Sequence, residues 1–207
     1  MKYDPKIHHR KSIRLKNYDY SQAGLYFVTI CTQNQLHLFG EIVHDEMVLN
    51  DAGLMVEKWY SELENKFTDM KCREMIIMPN HFHCIVENVG ADLRVCPKQG
   101  ENVERGEHIE QGEHIGSPLH RVVQWFKTMT TNEYIRAVKT HDWQRFDKKL
   151  WQRNYWEHII RNDNEYQCIA QYIMDNPQKW TLDKLNGGTG NSVMEQSPFY
   201  NQEAWMV

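Results

Sequence analysis

The stretch Gly24 to Gln33, Gly-Leu-Tyr-Phe-Val-Thr-Ile-Cys-Thr-Gln, constrains the fold more than any other in this chain. Side chains alternate between the faces of a strand, which sets Tyr26, Val28 and Ile30 on one side and Phe27, Thr29 and Cys31 on the other. Both sides are fairly apolar, so the spacing predicts a central strand. A second strand signal surrounds Met78-Pro79-Asn80-His81-Phe82-His83-Cys84-Ile85-Val86-Glu87. The apolar run Met75 to Met78 reads as a strand, Pro79-Asn80 interrupts it, and His81 to Glu87 resumes with aromatic and β-branched content. His81 and His83 then share a face and Phe82 takes the other. Two imidazoles converge on one spot, where they could bind a divalent metal with at least one further ligand from elsewhere in the chain. A lone His-x-His is more often a pair of partly exposed histidines beside a turn, so the motif needs partners before it means a site.

Leu36 to Leu49 reads as weaker extended segments around Phe39-Gly40. Asn50 or Asp51 caps a helix over about 52–67, with Leu54, Trp59 and Leu63 as its apolar stripe. Further on, 90–116 is an acidic insertion in which three hexapeptides each begin Gly-Glu, at Gly100, Gly106 and Gly112. So short and polar a repeat builds no packed solenoid. Ser117-Pro118 starts another helix, continued by Leu119, Val122, Val123, Phe126 and Met129 to about Val138. Asn162 or Asp163 caps a third, 164–175, closed by Asn176-Pro177, with Ile169 and Ile173 as its apolar contact. On it Tyr172 and Asn176 are four apart and so lie on one face, unless Pro177 unwinds the last turn. From Gly187-Gly188 onward the composition is that of a linker and tail.

The formal net charge of −4 does not announce a nucleic-acid binder, but it conceals local segregation. Residues 119–161 hold nine Lys/Arg against four Asp/Glu, interleaved with Trp143, Trp151, Tyr155 and Trp156. Cations for a backbone and ring faces for bases are what single-stranded nucleic acid needs, although tryptophans are as readily core. Residues 1–20 carry Lys2, Lys6, Arg10, Lys11, Arg14 and Lys16 against Asp4 and Asp19, either a solvated arm or a phosphate-contacting one. Five cysteines without a Cys-x-x-Cys pair indicate neither a disulfide framework nor a structural zinc site. No apolar run approaches a membrane span, and the start Met-Lys-Tyr-Asp-Pro lacks a signal-peptide core. A cytoplasmic location is the expectation.

Taken together, Met78-Pro79-Asn80-His81-Phe82-His83, the run Leu150-Trp151-Gln152-Arg153-Asn154-Tyr155-Trp156-Glu157-His158, Gln171-Tyr172-Ile173-Met174-Asp175-Asn176-Pro177 and the leading Arg14-Leu15-Lys16-Asn17-Tyr18-Asp19-Tyr20 resemble the HUH single-tyrosine DNA transposases of the IS200-like superfamily, most closely the REP-associated tyrosine transposases of bacteria. The resemblance implies an α+β fold with a mainly antiparallel, ferredoxin-like central sheet and packed helices over 1–186, followed by a tail over 187–207. It implies Tyr172 as nucleophile, with His81, His83 and Asn176 as ligands of Mg²⁺ or Mn²⁺. Ligand softness alone would also allow Zn²⁺. The implied activity is cleavage and strand transfer of single-stranded DNA beside hairpins through a 5′-phosphotyrosine link, in the bacterial cytoplasm at the nucleoid. Arg10, Lys11, Arg14, Lys16, Lys148, Lys149, Trp151, Arg153 and Trp156 are the expected DNA contacts. Monomers and swapped homodimers are both compatible. The alternatives are a self-mobilising insertion-sequence transposase and a hairpin-binding protein without chemistry. The hexapeptide insertion is not part of the family pattern.

Overall fold

The computed structural model describes Tyr18, Tyr20, residues 23–90 and residues 118–186. The basic arm at 1–17, nearly all of the acidic insertion and the tail lie outside the described residues. Strand β1 (Gly24–Cys31) runs through the interior of a four-stranded antiparallel sheet, as its two apolar faces require. Its neighbours are β5 (His81–Asn88) on one side and β6 (Trp156–Ile160) on the other, and β4 (Met70–Met78) closes the β5 side. Between β1 and β4 come a small hairpin, β2 (Gly40–Val43) and β3 (Glu46–Leu49), and helix α1 (Asp51–Lys66). Helix α2 (Pro118–Thr140) joins β5 to β6, and α3 (Asp163–Asp175) follows β6. With the β2–β3 hairpin set aside, β1-α1-β4-β5-α2-β6 in the order β4-β5-β1-β6 is the split βαβ arrangement of ferredoxin-like folds, an α+β architecture. No helix among the described residues is long and apolar enough to cross a membrane.

Pro79-Asn80 does more than interrupt a strand. It reverses the chain, so that β4 and β5 pair antiparallel with Met78 opposite His81. The turn is pinned from outside: Pro79 O accepts from Leu38 N at 2.8 Å, and Asn80 O accepts from Thr32 N at 2.8 Å. Such pinning gives the histidine strand a fixed register, because a one-residue slip would send both imidazoles to the opposite face.

That opposite face carries the main core. Tyr26, Val28 and Ile30 of β1 and Phe82, Cys84 and Val86 of β5 are buried beneath α1 and α2. Asn50 caps α1, its side chain accepting from Gly53 N at 2.9 Å. The buried stripe of α1 is Ala52, Met55, Val56, Tyr60 and Leu63. Leu54, expected in that stripe, is 51% exposed, since a neighbour of Met55 stands about 100° away around the helix. The second face is covered by α3, where Ile169 and Ile173 meet Phe27, Ile85 and Ile160. Strand β6 lies inside the segment that reads in sequence as basic and aromatic, with Glu157 and His158 spoiling the alternation of a strand. Pairing with β1, from Leu25–Ile160 to Thr29–Trp156, makes it one.

Candidate active site

His81 and His83 stand on the α3 side of β5, both buried. Their rings meet edge to face with centroids 4.5 Å apart. Each is held through Nδ1. His83 Nδ1 lies 2.8 Å from Thr29 Oγ1 on the facing position of β1. His81 Nδ1 lies 2.8 Å from Asn80 Oδ1. The Asn80 amide has one orientation, because its Nδ2 donates to the carbonyls of Leu185 (2.8 Å) and Gln35 (3.4 Å). Its Oδ1 must therefore accept, His81 Nδ1 carries the proton, and His81 Nε2 presents a lone pair. Burial, then the neighbouring His83, holds the His81 imidazole well below its usual value, against an opposing contribution from the Asn176 amide. Burial lowers His83 to about 3. Both rings are neutral donors at neutral pH.

Asn162 caps α3, accepting from Glu165 N at 2.9 Å, and the Ile169/Ile173 stripe seats the helix on the sheet. That contact aims Tyr172 at the histidines: its ring centroid is 5.4 Å from His83 and 6.1 Å from Phe27. Asn176 keeps helical angles (φ −57°, ψ −42°), and Pro177 opens a 3₁₀ segment instead of unwinding the turn. The i, i+4 relation survives, and Asn176 is buried beside Tyr172. The Tyr172 phenol is pushed up to about 12, by burial first and by the Asp183 carboxylate second, while the Asn176 amide lowers it.

Three polar atoms in this pocket are buried without a hydrogen-bond partner: His81 Nε2, His83 Nε2 and Asn176 Oδ1. Each such atom costs about 1–3 kcal/mol. Two imidazole nitrogens and an amide oxygen, all lone-pair donors turned into one pocket from β5 and α3, fit a divalent cation. The four residues expected as site and nucleophile are thus brought together by the fold.

Sequence reasoning missed three others. Thr29 and Asn80 orient the imidazoles. Asp183 reaches the pocket from the 3₁₀ segment Pro177–Leu182, its Oδ2 3.7 Å from His81 Nε2. Asn80 was legible in principle, as a polar side chain in a two-residue turn next to the His pair; Asp183 had no signal, being about a hundred residues from His81.

The expected DNA contacts divide. Arg10, Lys11, Arg14 and Lys16 lie outside the described residues. Lys148, Lys149 and Arg153 are exposed. Trp156 is 57% exposed and stands opposite Thr29 on β6, hence on the same face as His83 and Tyr172. Trp151 corrects the expectation: it is 4% exposed, packed at a tilt against Phe39 and Phe126, and its Nε1 donates to Thr130 Oγ1 at 2.8 Å. A ring buried in that way offers no face to a base. The segment containing these residues is docked on the end of β1, where Gln33 N donates to Leu150 O (2.8 Å) and Gln152 N to Cys31 O (2.9 Å). Lys127 of α2 holds it from below, its ammonium donating to Gln152 O at 3.0 Å and Asn154 O at 3.2 Å.

Fold and pocket together define an α+β domain with a histidine pair on a central strand and a tyrosine delivered by a helix across the sheet. The chain belongs to one family with an uncharacterized protein of Haemophilus influenzae, to which it is 37% identical over 184 residues, covering 89% of this chain and 97% of the relative. The resemblance to the REP-associated tyrosine transposases is borne out by a second protein of that organism, named "Putative REP-associated tyrosine transposase", 22% identical over 170 residues that cover 80% of this chain and 77% of the relative. Two solved structures are similar: a REP-associated tyrosine transposase bound to a REP hairpin (TM-score 0.48, 17% identity, covering 83% of this chain and 76% of that one) and a "putative transposase" from Deinococcus radiodurans (TM-score 0.42, 11% identity, 78% and 97%). No protein-family model matches the chain.

Proposed function

We propose that this protein cleaves and rejoins single-stranded DNA at hairpin elements, with Tyr172 as the nucleophile. The observation that carries the reading is the meeting of Tyr172 with three partnerless lone-pair donors, His81 Nε2, His83 Nε2 and Asn176 Oδ1. His81, His83 and Asn176 would hold a Mg²⁺ or Mn²⁺ ion, which would supply positive charge to offset that of the phosphodiester. The Tyr172 oxygen attacks phosphorus, the bond to the 3′ oxygen breaks, and the phenol proton leaves as that oxygen becomes a free 3′-hydroxyl. With the phenol at about 12 in the free protein, it is protonated until substrate enters. The 5′-phosphotyrosine link keeps the phosphoester energy, so a different 3′-hydroxyl reverses the step and joins new ends.

The surroundings suit a single strand. Trp156 offers a ring at the edge of the pocket for a base to stack on, and Lys148, Lys149 and Arg153 stand in the docked segment beside it. Arg10, Lys11, Arg14 and Lys16 are proposed to contact phosphates from the basic arm. Helix α3 packs on the sheet of the same chain through Ile169 and Ile173.

The test mixes the protein with labelled single-stranded DNA bearing hairpins from its own genomic neighbourhood, with Mn²⁺ or with chelator. A denaturation-resistant adduct is expected with Mn²⁺ only, and Tyr172→Phe is expected to reduce it by at least ~10³-fold. An adduct that persists in Tyr172→Phe would overturn the assignment of the nucleophile. Tight hairpin binding with no adduct would leave a binding protein instead.

A further inference from the structure

We infer that Asp183 is an additional ligand of the divalent cation at the His81–His83–Asn176 pocket, carried there by the 3₁₀ segment that follows the Tyr172 helix. The inference rests on the reading of that pocket as a metal site. Asn176 ends α3, Pro177 to Leu182 continue as a 3₁₀ turn, and Asp183 N closes the turn on Trp180 O at 3.2 Å. The segment therefore folds back over the histidines: the Trp180 ring lies 6.0 Å from that of His81. Its far end is tied to the site by Asn80, whose Nδ2 donates to Leu185 O while its Oδ1 holds His81. One amide thus positions both the imidazole and the carboxylate-bearing segment.

The carboxylate is directional. Asp183 Oδ1 accepts from Leu185 N at 2.7 Å, which turns Oδ2 toward His81 Nε2 at 3.7 Å. That separation is too long for a hydrogen bond. It sets a carboxylate oxygen against an imidazole lone pair, two acceptors facing each other in a pocket that also contains His83 Nε2 and Asn176 Oδ1. A cation held among them would give these atoms the partner they lack. Charge favours it too. Two imidazoles and an amide are neutral, and a carboxylate supplies a hard anionic oxygen suited to Mg²⁺ or Mn²⁺. Without a cation between them, Asp183 would repel an entering phosphodiester.

The experiment is a Mn²⁺ titration of the metal-free full chain, followed by the electron paramagnetic resonance of the unbound ion, for wild type, Asp183→Asn, Asp183→Ala and His83→Leu. Both Asp183 variants are expected to bind at least about tenfold more weakly, within or above the 10–100-fold range for lost supporting partners. Imidazole nitrogen couplings in the pulsed spectrum should persist in Asp183→Asn. Asp183→Asn keeps the side-chain shape and an oxygen for Leu185 N, so it decides the matter even where Asp183→Ala fails to fold. Affinity equal to or tighter than wild type in Asp183→Asn overturns the role of Asp183 while the histidine site stands. No Mn²⁺ binding by wild type, or binding unchanged in His83→Leu, overturns the metal reading as well.

Discussion

The two faces of one sheet are built to opposite ends. On β5 the residues alternate, Phe82, Cys84 and Val86 to one side and His81, His83 and Ile85 to the other. Beneath α1 and α2 the first set is packed among rings: Phe82 stacks on Phe126 at 5.3 Å and meets Tyr60 edge to face at 5.3 Å. Several polar groups there are partnered, Tyr60 Oη donating to Ile85 O at 2.7 Å and Trp151 Nε1 to Thr130, whereas Asn88 Nδ2 and the Glu157 carboxylate are not. Beneath α3 a small apolar cluster gives way to three unpartnered polar atoms and a protonated phenol. The same strand thus stabilises the domain with its even-numbered residues and leaves its odd-numbered histidines frustrated. Unsatisfied atoms gathered in one pocket beside a tyrosine are the kind of departure from polar satisfaction that marks a functional site.

Removing a ring from the packed face should have the largest effect on stability. Phe82→Ala is expected to cost about 3–5 kcal/mol in urea denaturation, because a void between Tyr60 and Phe126 cannot collapse under two helices. A loss below about 1 kcal/mol would contradict the division of labour.

Acid should then reveal the other face. His83 falls from the ordinary 6.5 to about 3 on folding, and His81 is also lowered, so between those values the unfolded chain binds protons that the folded one does not. Stability from this source is complete above pH 6.5 and declines as pH falls from there toward 3, with a limiting slope of about 1.4 kcal/mol per pH unit for each group. Denaturation series at several pH values in chelator, with His83→Leu as reference, measure it. A slope unchanged in the variant would show that His83 is not the group responsible.

At neutral pH and without metal, His83→Leu should be neutral or stabilising by about 1 kcal/mol, since an apolar side chain of similar size removes an unsatisfied atom. Destabilisation by several kcal/mol would mean that the imidazole serves the packing. The smallest effect on stability is expected at Trp156, where replacement by Ala should shift it by less than about 0.5 kcal/mol and yet weaken single-stranded DNA binding by roughly 1–3 kcal/mol. Unchanged DNA affinity would remove Trp156 from the proposed surface.

Where a feature depends on local periodicity, the chain is readable before it folds. The twofold alternation of Gly24 to Cys31 and of His81 to Glu87 settles which residues share a face, and the fourfold step from Tyr172 to Asn176 settles that they point together. The Asn50 and Asn162 caps are equally local, being polar side chains at the start of apolar stripes. Trp151 and Trp156 are not readable in this way. Five residues apart in one basic and aromatic run, they separate only because the first bridges to Thr32 over the core while the second enters an edge strand.

Residue order therefore determined the strands, their two-faced character and the His–His and Tyr–Asn pairs, because backbone geometry repeats over a few residues. Tertiary structure alone decided that α3 lies on the histidine face, that the Asn80 amide fixes the His81 lone pair by reaching Leu185, and that Asp183 arrives beside His81. Those choices depend on contacts between distant segments, which compete through packing and hydrogen bonding and leave no periodic trace in the chain.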